Sequence, residues 1–348
     1  MQVDYLVVGQ GLAGTLVSYN LIQKGKKVAV FDVFQENSSS RVAAGLYNPI
    51  TGPRSLKTWL ADDLFPFLEP YYESLEQFLD VSFLHKKSIF RPFDTIAEQN
   101  NWYGQSADSE LKEYVGVNAS PILIQNHYKA PFGGIETKIS GFVDLKTMID
   151  AFAIYLSNHQ FIDKMQFQYD ELVLVDNLVS YRGITATAII FCEGQLGRQN
   201  PWFSYLPLNA TKGQILDVEI ENYTIDSVVS KGVFVLPEKG KQRVGSNYEW
   251  QFEHDQPTEK AAVEIAQKLA LVLNTPYKII SQIAGIRPTT KDRRPLLGKH
   301  PEKQNVFIFN GLGTKGVSVA PYFSTMFVNW LLGDGELLKE VDIQRFNK

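Results

Sequence analysis

The sequence predicts an α/β fold in which a domain built on buried parallel strands is interleaved with an antiparallel sheet. A strand, a helix and a second strand follow one another within the first 32 residues. The segment 211–250 alternates apolar and polar residues between glycine and proline breaks, as antiparallel sheets do. The length of 348 residues suits two domains of common size.

Composition and charge indicate an ordinary globular protein. Hydrophobic residues make up 44% and charged residues 21% of the chain, which excludes the disordered class. The 34 basic and 38 acidic residues give a net charge of −4, without the basic surplus of a general nucleic-acid binder. The single cysteine, Cys192, cannot form an intramolecular disulfide, and no Cys/His spacing matches a zinc site. We therefore expect a cytoplasmic protein with no metal. We also expect no membrane span, since every apolar stretch is shorter than the ~20 residues of a membrane helix.

Hydrophobic spacing and boundary residues predict the N-terminal elements. Residues 2–8 and 27–32 are apolar runs of strand length, and residues 12–24, which end before Gly25, have helical spacing. Together they form a predicted βαβ unit. A longer helix is predicted over 58–80, where apolar side chains recur at close to helical spacing.

The same criteria predict the remaining elements. Asp144 is the predicted N-cap of a helix over 145–156. Residues 171–175 and 188–192 have the apolar composition of buried strands. Beyond the antiparallel segment, the chain continues with a helix over 258–273, strands near 279–283 and 305–309, and a last helix over about 320–332 after a glycine-rich turn.

A G-x-G-x-x-G pattern lies between the first strand and the first helix. Gly9 permits a tight turn, Gly11 lets the backbone approach a pyrophosphate, and Gly14 lets the helix lie close to the strand. The N–H groups and the dipole of the helix then face the phosphates. Asp32 ends the second strand, near the ~20-residue separation expected of a carboxylate that binds a ribose. The pattern predicts a Rossmann-like dinucleotide site but does not distinguish NAD from FAD.

Further segments carry a family resemblance when they are taken in order with the glycine pattern. They include Gly141-Phe142-Val143-Asp144, Phe191-Cys192-Glu193-Gly194, Lys212-Gly213-Gln214, Val235-Leu236-Pro237, and the segments 40–49, 284–298 and 310–321. Together they resemble the FAD-dependent D-amino-acid oxidase superfamily, in particular its glycine oxidase and sarcosine oxidase branch. The resemblance covers nearly the whole chain, except that residues 95–135 match no segment of it.

The resemblance implies an FAD-binding Rossmann-like domain with an interleaved antiparallel-sheet substrate domain. The FAD-binding domain is expected at 1–80, 140–205 and 285–348, and the substrate domain at 81–139 and 206–284. FAD is expected to be non-covalent, with Cys192 a small core residue. The residues implied to hold FAD are Gly9, Gly11, Gly14, Asp32, Arg41, Ala43, Ala44, Gly45, Val173, Gly194, Arg287, Gly311, Gly313, Thr314, Lys315 and Gly316.

Three residues are implied at the reaction centre. Arg287 is expected to bind a substrate carboxylate through two hydrogen bonds, the alternative being a structural ion pair with a buried acid. Tyr248 and Phe234 fall where related oxidases place residues over the flavin, with core packing as the alternative. Related amine oxidases often carry a tyrosine at the place of Phe234 and a histidine near Leu312. These departures leave the identity of the substrate open.

The resemblance implies an oxidoreductase that oxidises the C–N bond of a small amino acid or secondary amine by hydride transfer to flavin N5. One alternative is an oxidase acting on a carboxymethylamino group of a modified tRNA uridine, which the net charge of −4 disfavours. Others are a non-catalytic FAD-binding protein and an NAD-linked dehydrogenase. A small-molecule substrate is the expected partner. The amine, the electron acceptor, the stereochemistry and the oligomeric state stay open.

Overall fold

A computed structural model describes residues 1–51, 56–105, 111–118, 122–175, 178–238 and 240–346. The strands are β1 (Tyr5–Val8), β2 (Val28–Asp32), β3 (Leu46–Tyr47), β4 (Ile50–Thr51), β5 (Leu56–Lys57), β6 (Leu84–Lys86), β7 (Ile89–Pro92), β8 (Val115–Asn118), β9 (Gly134–Thr137), β10 (Gly141–Val143), β11 (Phe161–Lys164), β12 (Val173–Val175), β13 (Leu178–Tyr181), β14 (Ile184–Ala186), β15 (Ala188–Phe191), β16 (Leu208–Ile220), β17 (Val228–Lys231), β18 (Val233–Glu238), β19 (Lys241–Gly245), β20 (Tyr277–Thr290), β21 (Leu296–Lys299) and β22 (Val306–Asn310). The helices are α1 (Leu12–Gln23), α2 (Ser39–Val42), α3 (Ala61–Leu79), α4 (Ile96–Gln105), α5 (Ile122–His127), α6 (Leu145–His159), α7 (Glu259–Val272) and α8 (Gly316–Leu331).

A six-stranded sheet in the order β11-β2-β1-β15-β22-β21 forms the first layer. Its first five strands are parallel, and only the edge strand β21 runs antiparallel. The side chains of β1 are buried on both faces, because helices α1 and α8 pack over Tyr5 and Val7, whereas residues of β13 and β14 belong to the apolar cluster that covers Leu6 and Val8. Strand β2, which follows β1 in the chain, lies on one side of β1 in the sheet, and β15 lies on the other side. This reversal opens a crevice at the carboxyl ends of β1 and β15.

The second large sheet has eight strands in the order β20-β16-β19-β18-β17-β7-β9-β8. All its pairs are antiparallel except β17 with β7, so the antiparallel sheet expected from 211–250 is confirmed. Helix α7 covers one face through Ile265 and Leu269. Strand β20 runs without interruption past residue 285, where the sequence predicts a domain boundary. The domain ranges therefore stay a prediction.

Two elements differ from their predicted form. Residues 171–175 do not form a buried strand: β12 is an edge strand of a small sheet with β13 and β14, and Val173 is 50% exposed. Apolar composition alone does not distinguish an edge strand from a central one. Helix α8 begins at Gly316 rather than near 320, because the last glycine of the turn takes the first helical position.

Within the described ranges, no helix combines the length and the apolar character that crossing a bilayer requires.

Helix α6 begins where the sequence predicts, and its N-cap gives a test of local stability. Asp144 Oδ1 accepts a hydrogen bond from the backbone N–H of Thr147 (3.1 Å), and Asp144 Oδ2 accepts one from the Thr147 hydroxyl (2.7 Å). We expect Asp144→Ala to lower the free energy of unfolding by about 1 kcal/mol, because α6 loses its cap. Urea unfolding measures the change. Asp163→Ala, at an exposed position of β11, should change it by less than about 0.5 kcal/mol. Equal effects of the two substitutions would contradict the cap.

Candidate functional site

A cleft of about 360 Å³ opens at the carboxyl ends of β1 and β15. Loops of the parallel sheet form one wall, and strands of the antiparallel sheet form the other. Most residues predicted for the cofactor and the substrate line it, namely Gly9, Gly11, Asp32, Arg41, Ala43, Ala44, Gly45, Gly194, Phe234, Tyr248, Arg287, Gly313, Thr314 and Gly316. The fold thus brings the N-terminal turn and the C-terminal loop to one site.

Four predicted residues lie outside the cleft wall. Gly14 lies in the first turn of α1, where it packs against the strand. Gly311 and Lys315 flank the wall residues of the C-terminal loop. Val173 lies on the exposed edge strand β12, whereas Met165, Gln166 and Phe167 contribute to the wall.

The glycine turn is shaped by the close approach of β1, α1 and β15. Gly9 has a φ of +97°, and a Cβ there would lie 2.5 Å from the carbonyl oxygen of Cys192. A Cβ on Gly14 would lie 1.8 Å from the carbonyl oxygen of Gly9. Real Cβ atoms do not approach so closely, so both positions require glycine. The turn therefore holds the N-terminus of α1 directly at the cleft, where its N–H groups favour an anion.

Asp32 is tied to the same turn. Its Oδ2 accepts a hydrogen bond from the N–H of Gln10 (2.6 Å), and its Oδ1 accepts one from the N–H of Phe34 (2.5 Å). The hydroxyl of Ser40 accepts a hydrogen bond from the N–H of Leu12 (3.0 Å) at the start of α1. A carboxylate has further lone pairs for ribose hydroxyls. A helix N-terminus, a glycine turn without room for side chains and a fixed acid are the features that suit the adenosine diphosphate half of FAD.

Arg41 is fixed by an ion pair. Its side chain is only 7% exposed, and Nη2 lies 2.6 Å from Oδ1 of Asp150 on α6. The side chain is therefore not a free surface charge. The ion pair attaches the short helix α2 to α6 at the cleft wall.

Arg287 presents a partly buried guanidinium in the opposite wall. Nη2 donates a hydrogen bond to the hydroxyl of Ser246 (2.8 Å), and Nη1 donates one to the carbonyl oxygen of Asn247 (3.3 Å). The guanidinium carbon lies 4.9 Å from the ring centre of Tyr248. Burial lowers the pKa of Arg287, although an arginine stays charged. Among the residues that the structure describes, no carboxylate forms an ion pair with this side chain.

The backbone of β16 makes room for this guanidinium. A Cβ on Gly213 would lie 2.0 Å from Arg287 Nη2, so the guanidinium packs directly on the strand. Sequence reasoning missed Gly213, Ser246 and Asn247 as neighbours of the arginine. The signal for Gly213 was present in the Lys-Gly-Gln segment, whereas nothing local to Ser246 or Asn247 indicates this contact.

Tyr248 and Phe234 differ in their surroundings. Tyr248 is 54% exposed, so core packing does not explain its position beside Arg287. Phe234 lines the cleft and also packs against a small apolar cluster that contains Phe142 and Leu236. Phe234 therefore serves the core and the wall at once.

Lys315 points into the protein at the start of α8. Its Nζ donates a hydrogen bond to the hydroxyl of Thr58 (3.2 Å). Burial, together with the neighbouring cations Arg293 and Arg294, lowers its pKa to about 8. The lysine charge is therefore held inside the structure close to the C-terminal loop, rather than in bulk solvent.

Glu193 is a buried acid of the cleft wall that sequence reasoning missed as a functional candidate. Its carboxylate accepts hydrogen bonds from the Tyr169 hydroxyl (2.6 Å) and the Asn200 amide (2.8 Å). Burial raises its pKa to about 7.

The preceding Cys192 is also buried, and burial raises the pKa of its thiol, which keeps it a poor nucleophile. In the part of the chain that the structure describes, no three His, Cys, Asp or Glu residues group as metal ligands.

The raised pKa of Glu193 predicts a pH-dependent stability. Between its ordinary value of 4.5 and about 7, the folded chain binds this proton more tightly than the unfolded chain. The free energy of unfolding should therefore fall as pH rises through this window, by on the order of 3 kcal/mol. Glu193→Gln should flatten this part of the curve, measured by urea unfolding from pH 4.5 to 8. Glu221→Gln, at an exposed position, is the control and should retain the slope of the wild type. A Glu193→Gln curve that is as steep as the wild-type curve would refute the assignment.

Comparisons with known proteins agree with this geometry. Residues 4–330 match the family model of DAO, the FAD dependent oxidoreductases. The tRNA 5-methylaminomethyl-2-thiouridine biosynthesis bifunctional protein MnmC of Acinetobacter baylyi is 23% identical over 374 residues. That alignment covers 100% of this chain and 56% of the relative, so the chain spans little more than half the length of that protein.

Two crystal structures share the fold over nearly their whole length. Glycine oxidase from Geobacillus kaustophilus has a TM-score of 0.78 at 18% identity, with 99% of this chain and 98% of that chain covered. Iminodiacetate oxidase from Chelativorans sp. BNC1 has a TM-score of 0.79 at 21% identity, with the same coverage of both chains. The predicted fold class is thereby confirmed, and FAD rather than NAD is the cofactor. Because the family model spans residues 4–330, this chain belongs to the DAO family of FAD-dependent oxidoreductases.

Proposed function

We propose that this protein oxidises the C–N bond of a small amino acid or secondary amine that carries a carboxylate. The observation that carries this proposal is the partly buried guanidinium of Arg287 in the cleft wall, held by neutral acceptors. A planar guanidinium binds a carboxylate through two parallel hydrogen bonds. The names of two relatives, glycine oxidase and iminodiacetate oxidase, denote amines with carboxylates, which supports this substrate class.

The two ends of the cleft would hold different parts of FAD. The turn of Gly9 and Gly11 offers the N-terminus of α1 to the pyrophosphate, and Asp32 offers its carboxylate to the adenosine ribose. The C-terminal loop, with the start of α8, would lie at the pyrimidine edge of the flavin. When bound, FAD supplies the hydride acceptor N5. Backbone N–H groups at a helix N-terminus stabilise the negative charge that the reduced ring carries.

The protein contributes orientation and a low-polarity site. Arg287 would bind the substrate carboxylate, which limits the positions open to the amine-bearing carbon. The side chains of Ile215, Phe234 and Leu312 line the same cleft and are apolar. Such surroundings disfavour an ammonium relative to a neutral amine, because the charge is poorly solvated. A substrate that binds as the neutral amine needs no protein base to release its hydride. The apparent rate of flavin reduction at low substrate concentration should therefore rise with pH through the pKa of the substrate amine.

Flavin reduction tests the role of Arg287. Under anaerobic conditions, glycine, sarcosine, proline and D-amino acids are mixed in turn with the FAD-loaded protein, and the flavin absorbance is followed. We expect at least one of them to bleach the wild type. Arg287→Ala should raise the concentration needed for half-maximal bleaching on the order of 10- to 100-fold, because a charge-assisted hydrogen-bond pair is lost.

Arg182→Ala is the matched control, since Arg182 forms an exposed ion pair with Glu171. It should bleach like the wild type. If Arg287→Ala reacts at wild-type concentrations, the carboxylate-binding role is refuted. If no amine in the panel bleaches the wild type, the proposed substrate class fails.

A second candidate function is oxidation of a carboxymethylamino group on a modified tRNA uridine. The match of 100% of this sequence to 56% of MnmC, whose name denotes tRNA thiouridine biosynthesis, favours it. The net charge of −4 weighs against it, because tRNA binding draws on positive charge.

Gel-shift titrations with total tRNA at several salt concentrations separate the two candidates. Under the proposal of a small free substrate, we expect no retarded band at any salt concentration. A retarded band that weakens steeply as salt rises would favour the tRNA function.

A further inference from the structure

We propose that Asn247 is a positioning residue that holds Arg287 in its carboxylate-binding orientation, and that Gln214 and Glu249 fix Asn247 in turn. The inference rests on the proposed function, since it assigns a purpose to the orientation of Arg287. It adds residues that lie outside the cleft wall and touch no substrate.

Three successive residues hold the guanidinium. Ser246 accepts a hydrogen bond through its hydroxyl, Asn247 accepts one through its backbone carbonyl, and Tyr248 contributes its ring. Gly213 supports the guanidinium from the strand beneath. The direction of the Arg287 side chain therefore depends on the placement of one short segment that follows β19.

The side chain of Asn247 anchors this segment. It is 1% exposed, and both ends of its amide are bonded. Its Oδ1 accepts a hydrogen bond from the backbone N–H of Gln214 (2.9 Å), and its Nδ2 donates one to Oε1 of Glu249 (2.8 Å). Gln214 directly follows Gly213, so the anchor attaches the segment to β16 beside the contact with the guanidinium.

A second layer of hydrogen bonds fixes this anchor. The side-chain amide of Gln214 donates hydrogen bonds to Oε1 of Glu249 (2.5 Å) and to the hydroxyl of Thr258 (3.0 Å). Its oxygen accepts from the N–H of Thr258 (2.9 Å) and from Nε2 of Gln282 (2.8 Å). The backbones of Glu249 and Lys212 also exchange two hydrogen bonds of 2.9 Å. Since Thr258 is the N-cap of α7, the network joins the segment to two strands and a helix.

The chemistry of the network suits a ligand-binding cation. A carboxylate in direct contact would orient the guanidinium but would also compete with the substrate for it. Here, neutral acceptors touch Arg287, while the carboxylate of Glu249 accepts a hydrogen bond from the Asn247 side-chain amide behind them. The arginine is thus oriented while its charge stays available to a ligand. A site held by such a second layer is more precise than one in which the side chain is free to turn.

Acetate binding tests the inference without knowledge of the substrate. Acetate is titrated into FAD-loaded protein, and the Kd is measured by calorimetry and by the change in flavin absorbance. We expect Asn247→Ala to weaken acetate binding by about tenfold with FAD still bound, because two buried hydrogen bonds are lost. Gln242→Ala is the matched control: Gln242 is also a buried amide whose oxygen accepts a backbone hydrogen bond from β16, at Ile220 (2.9 Å). It should retain the wild-type Kd.

A pair of substitutions at Glu249 keeps the test independent of how Asn247→Ala folds. Glu249→Gln retains an oxygen that accepts from Asn247 and Gln214, so we expect a Kd within a factor of about two of the wild type. Glu249→Ala removes the acceptor and should weaken acetate binding more than Glu249→Gln does. A merely structural role would lower the melting temperature of both alanine variants without moving the Kd.

The outcomes separate the inference from the function on which it rests. If Arg287→Ala weakens acetate binding but Asn247→Ala and Glu249→Ala bind like the wild type, the positioning role is overturned and the proposed function stands. If Arg287→Ala itself binds acetate like the wild type, the carboxylate role of Arg287 is overturned, and the positioning role falls with it. If both alanine variants lose affinity while Glu249→Gln and Gln242→Ala retain it, the positioning role is supported.

Discussion

The close packing of α1 against the end of β1 is the constraint on which the whole cleft depends. The first turn of the helix lies so near the strand that Gly14 has no room for a side chain beside the carbonyl of Gly9. The turn in between presents backbone N–H groups, and Asp32 binds one of them, at Gln10. A longer approach distance would separate the helix terminus from the acid, and one ligand would no longer reach both. A local steric condition therefore determines where a pyrophosphate and a ribose can be bound together.

Strand β20 connects this cofactor half to the substrate half. Its pairing with β16 along the full length of both strands gives Arg287 a rigid support, whereas a loop would leave a long side chain mobile. The same strand then leads through 291–295 to β21, the antiparallel edge strand of the six-stranded sheet. The distance between the arginine and the C-terminal loop is thus set by sheet geometry. The charge of the arginine remains available to a ligand because its neighbours are neutral acceptors. Glu249 does not contact the arginine but bonds the Asn247 side chain.

The cleft carries different electrostatics at its two walls. On one side, just beyond the end of β15, the carboxyl group of Glu193 accepts hydrogen bonds from two neutral donors, and desolvation raises its pKa to about 7. On the other, the guanidinium of Arg287 is partly buried and has no ion-pair partner in the described part of the chain. Burial of ionisable groups costs stability, and such groups concentrate at sites that bind or react. Their presence at both walls of one cleft is consistent with an oxidoreductase of the DAO family.

The family resemblance rests on motifs spread over nearly the whole chain, whereas short-range patterns encode the βαβ unit, the Asp144 cap and the glycine turn with Asp32. These follow from periodicity and spacing within about thirty residues, where chain connectivity limits the possible geometry. Only the tertiary structure decided that Val173 lies on an exposed edge, and that Ser246 and Asn247 hold an arginine some forty residues away. Such contacts depend on which strands pair and in which register, and a long-range pairing leaves no periodic signal in the chain.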